Sequence, residues 1–162
     1  MQGGAAGPER LNPRPLIDYL ARLAAERKDL VDEVFVRRAV SAAFFALFNY
    51  WAAKNYAGGR RGSGPRQDSF TYQAFIEELL RNCLDRETYT LYVYRVGADH
   101  YVLNPTKVKL YNDPWKGAEE DVEINYDALS KSISSAYAIL EFLEKRYRRA
   151  ASSYGTCSPG EG

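Results

Sequence analysis

Thr88-Tyr89-Thr90-Leu91-Tyr92-Val93-Tyr94-Arg95-Val96-Gly97-Ala98-Asp99-His100-Tyr101 is the stretch whose conformation decides the fold. It is rich in β-branched and aromatic side chains, which favours a strand, and Gly97-Ala98-Asp99 would then turn a hairpin. Against this, Leu91, Arg95, Ala98 and Val102 share one helical face. Local propensity alone selects the hairpin. The neighbouring segments read as helices, and tertiary context routinely overrides propensity, which selects a helix. The stretch also holds the only histidine of the 162-residue chain, His100, five positions after Arg95 and next to Asp99.

The segments on either side are clearer. Pro13 and Pro15 open a first helix, with Leu16, Leu20, Leu23 and Ala24 at helical spacing, running to about Leu30. Asp32 caps a second, in which Val36, Val40, Ala43, Leu47 and Trp51 recur every three or four residues. Phe44, Phe45 and Phe48 widen that stripe until the helix is apolar nearly all round, as suits a bundle centre or a subunit interface. Gly58-Gly59 ends it. A third helix starts near Ser69 and buries Tyr72, Phe75, Ile76, Leu79, Leu80 and Cys83, with Glu77, Glu78 and Arg81 on its wet face. After Asn104-Pro105 the spacing predicts a long irregular connection over 105–123, with Val108–Tyr111 extended at most. A last helix follows from about Tyr126 to Ala150, with Leu129, Ile133, Ala136, Leu140, Leu143 and Tyr147 inward. The expected fold is therefore all-α: an antiparallel bundle of four to five helices over 13–150, with an irregular insertion before the last helix. Residues 1–12 and 151–162, poor in anything to bury, are expected to be a disordered arm and tail.

Composition bounds the function. A net charge of +1 excludes a chain covered in basic charge, though a local basic patch remains able to meet nucleic acid. No apolar run is long enough for a membrane span, and the N-terminus lacks the features of a secretory signal. Two cysteines far apart and one histidine do not make a zinc site, so no metal is expected. Cys83 reads as a small core residue and Cys157 as a free thiol, which together point to the reducing cytoplasm. The surplus of thirteen Tyr, seven Phe and two Trp suggests thick helix packing or self-association. Arg60, Arg61 and Arg66 sit in a Gly-rich loop, either a solvated connection or a mobile arm that meets RNA phosphates. No strand precedes those glycines and no Lys-Ser/Thr pair follows, so this is not a nucleotide-binding phosphate loop and no cofactor is expected.

Arg95 and His100 are sufficient parts for metal-independent RNA cleavage. Histidine moves protons near neutral pH, and arginine holds a phosphate through forked donors. On a helix, Asp99 falls at i+4 from Arg95 and would orient it. Residues five apart on a helix, however, point about 140° away from each other. The pair meets only if the arginine folds around, if the helix distorts near Gly97, or if a two-fold partner supplies its own pair.

The whole pattern resembles the HEPN (higher eukaryotes and prokaryotes nucleotide-binding) family. Arg37-Arg38-Ala39-Val40-Ser41-Ala42-Ala43-Phe44-Phe45-Ala46-Leu47-Phe48-Asn49 is similar to the family helix with an Arg, small residues, an aromatic pair and Ala-x-Phe. Arg95-Val96-Gly97-Ala98-Asp99-His100 fits its motif of Arg, four to six residues, then His, and a long final helix follows. The resemblance covers about residues 14–150. It implies a helical bundle, commonly a homodimer with facing motif helices, and a metal-independent endoribonuclease, many members being toxins or defence effectors. His100 would then transfer the proton, Arg95 would contact the phosphate, and Asp99 would fill the polar position of the motif. Tyr101, like the loop arginines, is a candidate RNA contact. The alternative is a non-catalytic HEPN module that binds a nucleotidyltransferase-type partner protein or a nucleotide. Val96 stands where a polar residue is common in the family, Gly97 is unusual inside the motif helix, and Val102 occupies the position of a tyrosine that partner nucleotidyltransferases use.

Overall fold

Residues 88–100 are helical, and the strand reading of that stretch is excluded. The computed structural model describes residues 11–59 and 70–148, and among these five α-helices and one β-hairpin follow in order. They are α1 (Arg14–Glu26), α2 (Glu33–Ala57), α3 (Tyr72–Leu80), α4 (Asp85–His100), β1 (Thr106–Lys109), β2 (Glu119–Val122) and α5 (Tyr126–Arg148), with a 3₁₀ turn at Lys28–Leu30. The fold is an all-α bundle with an insertion before its last helix. Helices α2, α4 and α5 pack on one another at its centre, α1 lies on α5, and α3 on α4. None of the helices described is long and apolar enough to cross a membrane.

Helices α2, α3 and α5 start where a side chain satisfies an open N–H group. Asp32 Oδ1 accepts from Phe35 N at 2.7 Å to open α2, and Asn125 Oδ1 from Ala128 N at 3.0 Å to open α5. The cap of α3 is Thr71, which accepts from Ala74 N at 3.1 Å; Ser69, near which the helix was expected to start, lies outside the described residues. The inward stripe of α1 is Ile17, Leu20 and Ala24 rather than one led by Leu16, which is exposed, and α1 ends at Glu26, short of Leu30.

Three expectations need correction. The connection before α5 is an antiparallel hairpin, not irregular chain. Lys107 pairs with Asp121 and Lys109 with Glu119, so both lysines of β1 face acidic residues across the ladder. Glu78 is not on a wet face: only 3% exposed, its carboxylate meets Arg146 Nη1 at 2.9 Å and accepts from Trp51 Nε1 at 3.0 Å, joining α3 to α5 and α2. Cys83 is not a core residue: it is exposed, at φ 61° in the turn after α3, and disulfide-bonded. Cys157 lies outside the described residues, as do the tail and residues 1–10 of the expected 1–12 arm; Asn12 is described, and its Oδ1 accepts from Arg14 N at 2.9 Å.

The hairpin closes on α4. Val108 and Val122 are buried, and both reach Gly97, where an added Cβ would stand 3.5 and 3.0 Å from their Cγ1 atoms. The buried Tyr92 hydroxyl donates to Asn112 Oδ1 at 2.8 Å and accepts from the amides of Tyr111 and Asn112, and Trp115 stacks on its ring.

Candidate functional site

Arg95 leaves α4 toward α2 and α3 and enters a cage of three rings. Its guanidinium carbon lies 5.3 Å from the ring centre of Phe44 and 5.1 Å from those of Phe45 and Tyr72. The rings meet edge to face at 5.7–5.8 Å, so each turns part of a π face to the cation. Only 8% of Arg95 is exposed. Its Nε stands 2.9 Å from Asp99 Oδ2, the i, i+4 pair expected of a helix. The N–H does not aim at that oxygen, so charge rather than a directed hydrogen bond holds the pair.

His100 ends the helix and is exposed. Its ring meets the edge of Tyr111 at 6.0 Å and 76°. Tyr111 follows β1 in chain and is itself 54% exposed; its phenol is pushed up first by a hydrogen bond with Tyr101. Tyr101 is half-buried, and its hydroxyl accepts the Lys109 amide at 2.7 Å. That tyrosine therefore pins the hairpin to the end of α4.

The structure thus brings Arg95 and Asp99 together, and it does not bring Arg95 to His100. Helix α4 runs unbroken through Gly97, so no distortion joins them. Arg95 does not fold around: it meets rings of α2 and α3, whereas His100 meets the residues after β1. Arg60, Arg61 and Arg66 lie outside the described residues.

Two contributions were missed by sequence reasoning. Phe44 and Phe45 read as core stripe, and nothing in the spacing joins them and Tyr72 to Arg95. Arg37 was noticed only within its helix, yet it reaches the last carbonyls of α4. Its one local signal is Glu33, four residues earlier.

Away from the motif, an open groove of about 470 Å³ runs between α4, β2 and α5 and is lined by Arg86, Tyr89, Glu120, Lys131 and Ser135, among others. Lys131 there pairs with Asp127 at 2.7 Å, and Glu120 Oε2 accepts from the Tyr89 hydroxyl at 2.6 Å. Burial and that carboxylate push the Tyr89 phenol up to about 12. Arg95, Asp99 and His100 do not line this groove. Among the described residues, no three His, Cys, Asp or Glu side chains gather as metal ligands. Comparison with family models, with curated proteins and with solved structures finds no match to this chain.

Proposed function

We propose that the chain is a HEPN-type endoribonuclease that needs no metal, works as a homodimer and serves as a toxin or defence effector. The observation that carries this reading is the exposure of His100, the sole histidine, on the last turn of the helix that holds Arg95 in place. A histidine kept only for packing would be buried against a core partner. In the proposed reaction His100 takes the proton of a ribose 2′-hydroxyl, and that oxygen attacks the adjacent phosphorus. The P–O5′ bond breaks, the leaving 5′-oxygen takes a proton from solvent water, and the upstream strand ends in a 2′,3′-cyclic phosphate. Arg95, oriented by Asp99, steadies the charge developing on the phosphate. Since Arg95 and His100 diverge on one helix, each site takes its arginine and its histidine from different subunits. The loop arginines Arg60, Arg61 and Arg66 would hold the strand. A cytoplasmic location belongs to the same proposal; the disulfide at Cys83 removes the thiol argument for that compartment.

A specific observation favours a second reading. Arg95 is nearly enclosed by Phe44, Phe45, Tyr72 and Asp99, as a structural cation would be. On that reading the domain is non-catalytic and binds a nucleotidyltransferase-type partner or a nucleotide.

The test is RNA cleavage by the purified protein in a metal chelator. His100→Gln changes an exposed side chain and leaves folding intact. Arg95→Lys keeps the charge and loses the fork, a milder change than emptying the cage with alanine. Wild type should yield cyclic phosphate ends, and His100→Gln should lose about 10²- to 10⁴-fold in rate. Intact RNA with wild type, or equal cleavage by His100→Gln, sinks the nuclease and leaves the binding module.

A further inference from the structure

Three carbonyls at the end of α4 converge on one side chain from α2. Arg37 Nη1 donates to the carbonyl oxygens of Gly97 at 3.0 Å, Ala98 at 3.1 Å and Tyr101 at 2.6 Å. The last carbonyls of a helix have no N–H partner within it, and the negative end of the helix dipole favours a cation there. The other edge of the same guanidinium is fixed from behind. Its Nε and Nη2 lie 2.8 and 2.7 Å from Glu33 Oε1. Glu33 is bonded in turn to Asn104, and those two partners, Asn104 first, hold its carboxyl below the ordinary range. Asn104 clasps the residue after β2's exit: its Oδ1 accepts from Ile124 N at 2.7 Å and its Nδ2 donates to Ile124 O at 2.8 Å. One chain of hydrogen bonds therefore runs from the hairpin through the first turn of α2 to the last turn of α4.

That last turn carries Asp99 and His100. Helix ends fray, and His100 is exposed, with the edge of Tyr111 as its ring contact among the described residues. The backbone beneath it is what sets its direction. We infer that Arg37 is a positioning residue of the Arg95/His100 site, holding the last turn of α4 so that His100 is presented at one angle. The inference rests on the proposed nuclease reading. Only a guanidinium suits the place: it is planar, with Nη1 on the helix carbonyls while Nε and Nη2 face Glu33. A lysine has one nitrogen and serves one side at a time.

The test uses Arg37→Met and Arg37→Lys in the full chain, with Glu144→Gln as control. Glu144 pairs with Arg14 between α5 and α1, remote from the turn in question. Because His100 is the only histidine, its imidazole C–H signals form a unique pair in a ¹H–¹³C spectrum. Arg37→Met should shift and broaden both signals, Arg37→Lys should do so in part, and Glu144→Gln should leave them as in wild type. In RNA cleavage, a displacement of the histidine by about 1 Å should lower kcat by about 10²-fold while KM holds, with Arg37→Lys recovering part of the loss. Imidazole signals unchanged in Arg37→Met overturn the inference, whether or not RNA is cut. Signals that move in Arg37→Met while wild type cuts no RNA sink the nuclease reading and leave Arg37's hold on His100 standing. If Arg37→Met does not fold, Arg37→Lys carries the same comparison.

Discussion

A side chain at Gly97 would stand inside the hairpin. An added Cβ there lies 3.0 Å from Val122 Cγ1, 3.4 Å from Ile124 Cδ1 and 3.5 Å from Val108 Cγ1, all three of those residues being buried. The glycine is in ordinary helical conformation, so close approach and not backbone freedom explains it. In sequence it weakens the helix reading, because glycine gives up about 1 kcal/mol to alanine in a helix interior. In the fold that loss is offset by the apolar contact it allows between α4 and the hairpin. Gly97→Leu should therefore lose about 1–3 kcal/mol by overpacking, read from urea unfolding. Gly97→Ala should remain within about 1 kcal/mol of wild type, since the propensity gained opposes the tight contact with Val122. Unchanged stability in Gly97→Leu would mean that the hairpin does not rest on α4. At this scale the ion pair of Arg95 with Asp99 was legible, because i, i+4 spacing is a local rule. The rings around Arg95 were not, because Tyr72 comes from a helix whose angle to α4 no local pattern encodes.

Among the elements, α2 and α5 were legible from their stripes and caps, and α4 was not decidable. Its β-branched and aromatic residues are those a buried helix also uses: Leu91, Tyr92, Val93 and Val96 are all buried. The hairpin was missed because its strands are four residues each and β2 begins with Glu119-Glu120-Asp121, poor strand formers. Glu78 was misplaced because Arg146 and Trp51, which meet its carboxylate, come from α5 and α2 and no local spacing announces them. Glu78→Ala takes the carboxylate away from the buried Trp51 Nε1 and from Arg146, and should lose about 1–3 kcal/mol, measured by chemical denaturation. A loss near zero would place Arg146 in solvent. The pair of Arg14 with Glu144 makes a milder claim. The arginine's hydrogen bond holds the Glu144 carboxyl below its ordinary value of 4.5. Its contribution is thus complete above that value and is lost as pH falls through the lower, folded one. The Arg14 side chain is 38% exposed, so solvent screens part of the effect. Melting temperature should fall below about pH 4.5, and Glu144→Gln should flatten that fall. Parallel wild-type and Glu144→Gln profiles would assign the acid loss to other carboxylates.

Over the whole molecule, exposed apolar side chains gather where α4 ends. Val102 is 93% exposed, Leu103 70% and Tyr111 54%, and Val34, beside Glu33 of the Arg37 chain, is 67% exposed. The proposed homodimer would draw on this region, since an isologous two-fold contact there sets one His100 beside its copy. Val102→Glu with Leu103→Glu should then yield a monomer by light scattering, with stability changed by no more than about 0.5 kcal/mol, as for surface substitutions. It should also lose RNA cleavage with Arg95 and His100 intact. Mixing chains gives the sharper outcome. A His100→Gln subunit keeps Arg95, and an Arg95→Lys subunit keeps His100. A shared site in the mixed dimer unites the intact arginine of one with the intact histidine of the other. Cleavage by the mixture should exceed the summed rates of the two variants alone. A mixture no faster than that sum would confine the chemistry to a single chain, where the straight course of α4 gives Arg95 and His100 no common target.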